Sequence, residues 1–87
     1  MKVFMKPIKM IFYSEENGVI TPLKFQMLNQ EKEYFTVKVD NIMLRQEEKL
    51  AGNRMLIYRC QSEIDGMEKV YELKYEVSTC KWYLYKM

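Results

Sequence analysis

The chain has no histidine, only two cysteines, two aspartates and three glycines, and nowhere more than four apolar residues in succession. Each scarcity removes a class of protein. Without histidine there is no Ser–His or Cys–His pair, no imidazole general base, and little prospect of a zinc site. Cys60 and Cys80 lie far apart in sequence, and two thiolates do not complete a structural metal centre. Nor do they form a disulfide scaffold, so both are read as reduced thiols. Three glycines, each in a polar break, leave no glycine-rich phosphate loop. The N-terminal stretch MKVFMKPIKMIFY is cut by Lys2, Lys6 and Lys9, whereas a secretion signal needs an unbroken apolar core. No segment is long enough to span a bilayer, and the expected location is the cytoplasm. Asp40 and Asp65 have turn or bulge explanations, Glu15-Glu16 and Glu47-Glu48 fall in polar breaks, and no carboxylate pair stands out. The expectation is a protein that is not an enzyme and uses neither cofactor nor metal.

What is present describes a small fold. The 87 residues make one domain. A chain this short buries only about 60–65% of the surface its unfolded form exposes. Its 48% hydrophobic content exceeds that of a disordered segment. The net charge of +2 makes no strong case for DNA or an anionic membrane. The charge is uneven, however: residues 1–13 hold Lys2, Lys6 and Lys9 and no acid, so the remainder carries one net negative charge. Those lysines are read first as guards of an edge strand, and second as a basic patch.

Punctuation is regular. Asn17-Gly18 and Asp65-Gly66 suit type I′ hairpin turns, and residues 29–33, 47–53 and 78–81 are further polar breaks. Between breaks, apolar residues alternate. Tyr71, Leu73, Tyr75 and Val77 share one face of a half-buried strand, with Glu72, Lys74 and Glu76 on the other. Leu23, Phe25 and Met27, then Phe35, Val37 and Val39, repeat the pattern, and Ile8, Met10 and Phe12 are placed inward. The phase changes to Ile42 and Leu44, which predicts a β-bulge at Asp40-Asn41. Only residues 45–51 have helix-friendly composition, enough for one turn. The sum is an all-β protein: a five- or six-stranded antiparallel meander forming a small barrel or strongly curled sheet over residues 1–87.

The aromatic residues concentrate at the end of the chain. For the last hairpin, a four-residue loop at Ser78–Lys81 sets Val77 against Trp82 and Tyr75 against Leu84, while a three-residue loop exchanges the faces. Burying Trp82 and Leu84 removes more apolar area from water, which favours the first. Tyr83 and Tyr85 then lie outside. They pack against neighbouring chain, or they form a stacking platform for single-stranded nucleic acid with Lys9 and Lys74 holding phosphates. A second irregularity is MLIY (55–58). Leu56, Tyr58 and Cys60 make one apolar face and Met55 and Ile57 another, so the strand must be covered on both sides. Either the chain folds over it, or a protein partner or second copy does, with Met43, Met55 and Ile57 as the contact patch.

Residues 70–87, with Tyr71, Leu73, Thr79, Cys80, Trp82 and Leu84, together with PLKF (22–25), resemble an uncharacterised bacterial family of short all-β proteins often encoded beside translesion DNA polymerase genes. The likeness covers about half the chain. It implies an accessory role in DNA-damage tolerance and carries over no catalytic residue. The family's turn glycine is Cys80 here, which implies a positive φ at that cysteine. The functional expectation is a non-catalytic protein-binding module, with a single-stranded nucleic-acid binder as the alternative.

Overall fold

A computed structural model of residues 1–87 shows seven antiparallel β-strands and no helix. They are β1 (Val3–Ser14), β2 (Ile20–Leu28), β3 (Tyr34–Lys38), β4 (Asn41–Leu50), β5 (Asn53–Ile64), β6 (Met67–Glu76) and β7 (Lys81–Lys86). They form one strongly curled half-barrel sheet in the order β3-β2-β1-β7-β6-β5-β4. The all-β expectation holds, with seven strands rather than five or six. The extra strand is β4. Residues 45–50 have helix-friendly side chains, but each pairs with β5, from Arg45 opposite Tyr58 to Leu50 opposite Asn53. Arg54 adds a forked bond to Glu47 at 2.7 and 3.0 Å. A ladder of that length outweighs a single helical turn, which is marginal in isolation.

Residues 34–50 form one long bent stretch that changes partners midway. The Val39 amide donates to Leu23 O on β2, and the next amide, Asp40, donates to Gln61 O on β5. The predicted bulge at Asp40-Asn41 is therefore the point where the chain passes from one end of the sheet to the other. A true bulge follows at Met43, between Ile42 opposite Cys60 and Leu44 opposite Arg59. It turns Leu44 outward, where the simple alternation had placed it inside. Leu23 is exposed for the same kind of reason. The β1–β2 register slips between Ile11 and Phe12, leaving Leu23 between the pairs Phe12–Pro22 and Ile11–Lys24.

The hairpin turns follow their φ demands. Asp65 and Gly66 are both left-handed (φ +52° and +76°), as a type I′ turn requires. At Asn17-Gly18 only Gly18 has positive φ, and its amide returns to Glu15 O, so this loop is a type I turn closed by a left-handed glycine. Ala51-Gly52 makes an unforeseen two-residue turn with both φ positive. In the last hairpin Tyr75 lies opposite Trp82 and Leu73 opposite Leu84, around a four-residue loop 77–80. The expected faces are right, while the loop sits one residue earlier than expected.

The concave side holds the core: Phe25, Val37, Leu56, Tyr58, Cys60, Tyr71, Leu73, Tyr75, Trp82 and Leu84 with Ile20. Its buried polar groups clasp the bent stretch to the sheet. The Tyr58 hydroxyl donates to Ile20 O at 2.6 Å and accepts from Arg45 Nε at 3.2 Å. Ser62 Oγ donates to Lys38 O at 2.5 Å and accepts from the Tyr71 hydroxyl at 2.6 Å. Unsatisfied, each group would cost about 1–3 kcal/mol. Trp82 is the exception. Its Nε1 is buried without a partner, ringed by Tyr75, Phe12 and Tyr58 at 5.0, 5.4 and 5.5 Å between centroids.

Candidate functional site

The structure separates the sequence-predicted contact residues. Met55 and Ile57 are 6% and 7% exposed, whereas Met43 is 50% exposed. The outward side of β5 is covered by the chain itself. Lys74 lies directly opposite Ile57 on β6, is itself buried, and extends its ammonium to Glu48 Oε1 at 3.2 Å on β4. The Tyr85 ring closes over that ammonium, 3.9 Å from its centroid. Long stems covering apolar groups while their charges pair above them explain a strand apolar on both sides without an external partner. The three-residue patch therefore does not form, and Met43 alone remains outside.

The same arrangement corrects the expected nucleic-acid platform. Lys74 is committed to Glu48, one face of Tyr85 is occupied by Lys74, and Lys86 approaches the same ring at 4.8 Å. Tyr83, half-buried, sits between Lys74 and Pro7 in the cross-strand register. Of the four residues named, only Lys9 is free, and it lies on a different wing of the sheet. There the outward face of β1, β2 and β3 carries Lys9, Lys24 and Lys38, with no acid on any of the three strands. Lys24 faces Lys38 directly, a like-charge pairing that costs stability, and exposed Ile11 is its other neighbour. Sequence alternation could have shown three lysines on one side, but only the β2–β3 register shows two of them opposite each other.

A further feature, not legible in the alternation pattern, is the free edge of β4. This ten-residue strand packs only against β5, and the backbone groups on its other side have no strand to meet. Met43, Leu44 and Leu50 are exposed along it. At the other end of the sheet, β3 is only five residues long and its far end lies against β5.

Electrostatics divide in the same way. The ion pairs Arg54–Glu47, Arg59–Glu72 and Lys74–Glu48 all lie on β4, β5 and β6. The Arg54 guanidinium holds the Glu47 carboxyl below its usual range. Burial pushes the Cys60 thiol up to about 12 and raises the Tyr58 and Tyr71 hydroxyls. Cys60 is thus an inert core group, and Cys80 is an exposed turn residue. No three Cys, Asp or Glu side chains converge on a metal-sized site, and there is no helix long and apolar enough to cross a membrane. No family model, curated protein or solved structure matches the chain.

Proposed function

We propose that this chain is a non-catalytic protein-binding module that works by strand addition at the free edge of β4. The observation that carries the reading is the ten-residue edge strand with exposed Met43 and Leu44 and no neighbour on its outer side. An unpaired edge supplies main-chain hydrogen bonds to any extended segment, and side-chain matching selects which one. A second copy of the same strand matches well. Antiparallel pairing about a two-fold axis through Gln46 sets Arg45 of one copy against Glu47 of the other, twice, and both residues lie on the inward register opposite Tyr58 and Leu56.

Sedimentation over a concentration series tests this. Gln46→Glu and Gln46→Lys each place like charges across the axis and should be monomeric. Mixed one to one, they should associate again. A wild type that stays monomeric at high concentration, or a Gln46→Glu variant that associates as the wild type does, rejects self-pairing through β4.

The Lys9, Lys24 and Lys38 face supports a second reading, single-stranded nucleic-acid binding on β1–β3 rather than on Tyr83 and Tyr85. Labelled single-stranded DNA titrated at low salt should then bind the wild type, bind Tyr85→Ala equally well, and lose most of its affinity for Lys24→Glu. Equal binding by wild type and Lys24→Glu excludes it. The likeness to proteins encoded beside translesion polymerase genes suggests damage-tolerance proteins as the first heterologous partners to try.

A further inference from the structure

A groove of about 390 Å³ opens where β1, β2, the start of β3 and β7 come together. Its lining includes Lys6, Ile8, Met27, Leu28, Tyr34 and Leu84. The volume lies within the range of about 300–1,000 Å³ typical of ligand pockets. Its origin is uneven filling of the half-barrel. β5 and β6 fill their side with Tyr58, Tyr71, Leu73 and Tyr75, while Ile8 and Met27 opposite are smaller and only half-buried. The short β3 covers the seam near Val37 and leaves the Tyr34 end open.

Lys6 reaches this groove because of a bulge. Val3 pairs with Lys86, and that register continued would set Lys6 opposite Tyr83, on the outer face. A slip between Val3 and Lys6 sets it opposite Leu84 instead, a buried core residue. Met5, inside the slip, has φ +45°, a conformation that costs a non-glycine residue energy. Bulges of this kind re-aim side chains. The result is a lysine on the inward register at the mouth of an apolar groove. Lys6 and Lys9 are the only charged side chains in the lining, which has no carboxylate, and neither is ion-paired.

We infer that this groove binds a single-chain amphiphile with a carboxylate head: the alkyl chain lies over Ile8, Met27 and Leu84, and the carboxylate meets Lys6. The charge of the mouth selects an anion, the lining selects a hydrocarbon chain, and the volume favours one medium-length chain over a two-chain lipid. Met27, unbranched and polarizable, adapts to chain position. The site is independent of the β4 edge; it shares Lys9 with the outward lysines, but its head-group contact is Lys6, so Lys6→Glu here and Lys24→Glu above test the two sites separately.

The test is titration of the intact chain with decanoate below its micellar range, followed by methyl chemical shifts, with decanol and decyltrimethylammonium as controls. Decanoate should bind at least tenfold more tightly than decanol and shift the methyl signals of Ile8, Met27 and Leu84. Lys6→Glu, a change at an exposed position, should lower decanoate affinity at least tenfold, leave decanol unchanged, and raise affinity for decyltrimethylammonium. Retained decanol binding shows that the groove is intact in the variant. Absence of saturable decanoate binding, decanoate affinity unaltered by Lys6→Glu, or shifts confined to β4 overturns the assignment.

Discussion

The two wings of the sheet are built from similar residues and finish their surfaces in opposite ways. On β4–β7, outward charges alternate in sign across strands, and their pairing draws long side chains over the apolar groups beneath. Met55, Ile57 and the stem of Lys74 are buried there. On β1–β3 the outward charges are lysines alone. Nothing draws them together, and Ile11, Tyr13 and Leu23 stay exposed among them. Cross-strand charge complementarity therefore decides whether an outward apolar group becomes a second, shallow core or an open surface. The interior differs too. β5 and β6 supply the titratable core groups Tyr58, Cys60 and Tyr71, whereas β1–β3 supply hydrocarbon and Phe25.

The largest test of that interior difference is alkaline unfolding. Cys60 has an ordinary value of 9.0 and is pushed up to about 12 by burial. A group raised on folding contributes stability that is complete below its unfolded value and is lost as pH climbs toward its folded value. Between pH 9 and 12 the unfolded chain ionises while the core resists, at a cost reaching about 4 kcal/mol from Cys60 alone. Tyr58 and Tyr71 add to this in the same direction. Melting followed by circular dichroism should show a steep fall from pH 9 to 11, and Cys60→Ala should make that fall shallower by about one proton. An unchanged slope would remove Cys60 from the groups responsible for alkaline sensitivity.

The outer-face contrast is tested by paired lysine substitutions. Lys74→Ala strips the cover from Ile57 and leaves Glu48 without its partner, for a loss of about 2 kcal/mol, or about 10 °C in melting temperature. Lys24→Met removes a charge facing Lys38 and should change stability by less than about 0.5 kcal/mol, in the stabilising direction. Equal losses in the two variants would mean that the wings are not electrostatically distinct.

How far the sequence reveals this arrangement depends on the range of the information involved. Period-two alternation is local, so the faces of Tyr71–Val77, Leu56–Cys60 and Trp82–Leu84 are legible residue by residue. Bulges are not. The slips at Leu23, Met43 and Met5 depend on which strand lies alongside, and those at Leu23 and Met43 turned outward a leucine that simple alternation places inside. The partner change at Val39-Asp40 is equally non-local. A phase shift in the sequence marks its position but not its consequence, which is to leave β4 as a free edge. The candidate contact residues fared as they did for the same reason. That Met55 and Ile57 needed covering was visible. That Lys74, Glu48 and Tyr85 would cover them required the registers of three strand pairs.

The smallest expected effect concerns the turns, where the wings differ again. The β1–β2 loop places glycine at its left-handed position, Gly18 with φ +89°, whereas the β6–β7 loop places Cys80 there with φ +58°. The Cys80 side chain is exposed, and its thiol lies 3.8 Å from Val77 O, so little packing depends on it. A left-handed conformation costs a residue with a Cβ about 1–2 kcal/mol, and the greater freedom of glycine in the unfolded chain returns part of that difference. Cys80→Gly should therefore raise stability by up to about 1 kcal/mol. Cys80→Ala is the necessary control, because it removes the same thiol and keeps the Cβ. If the glycine variant melts no higher than the alanine variant, the gain does not come from the backbone, and the strain assigned to the β6–β7 turn is absent.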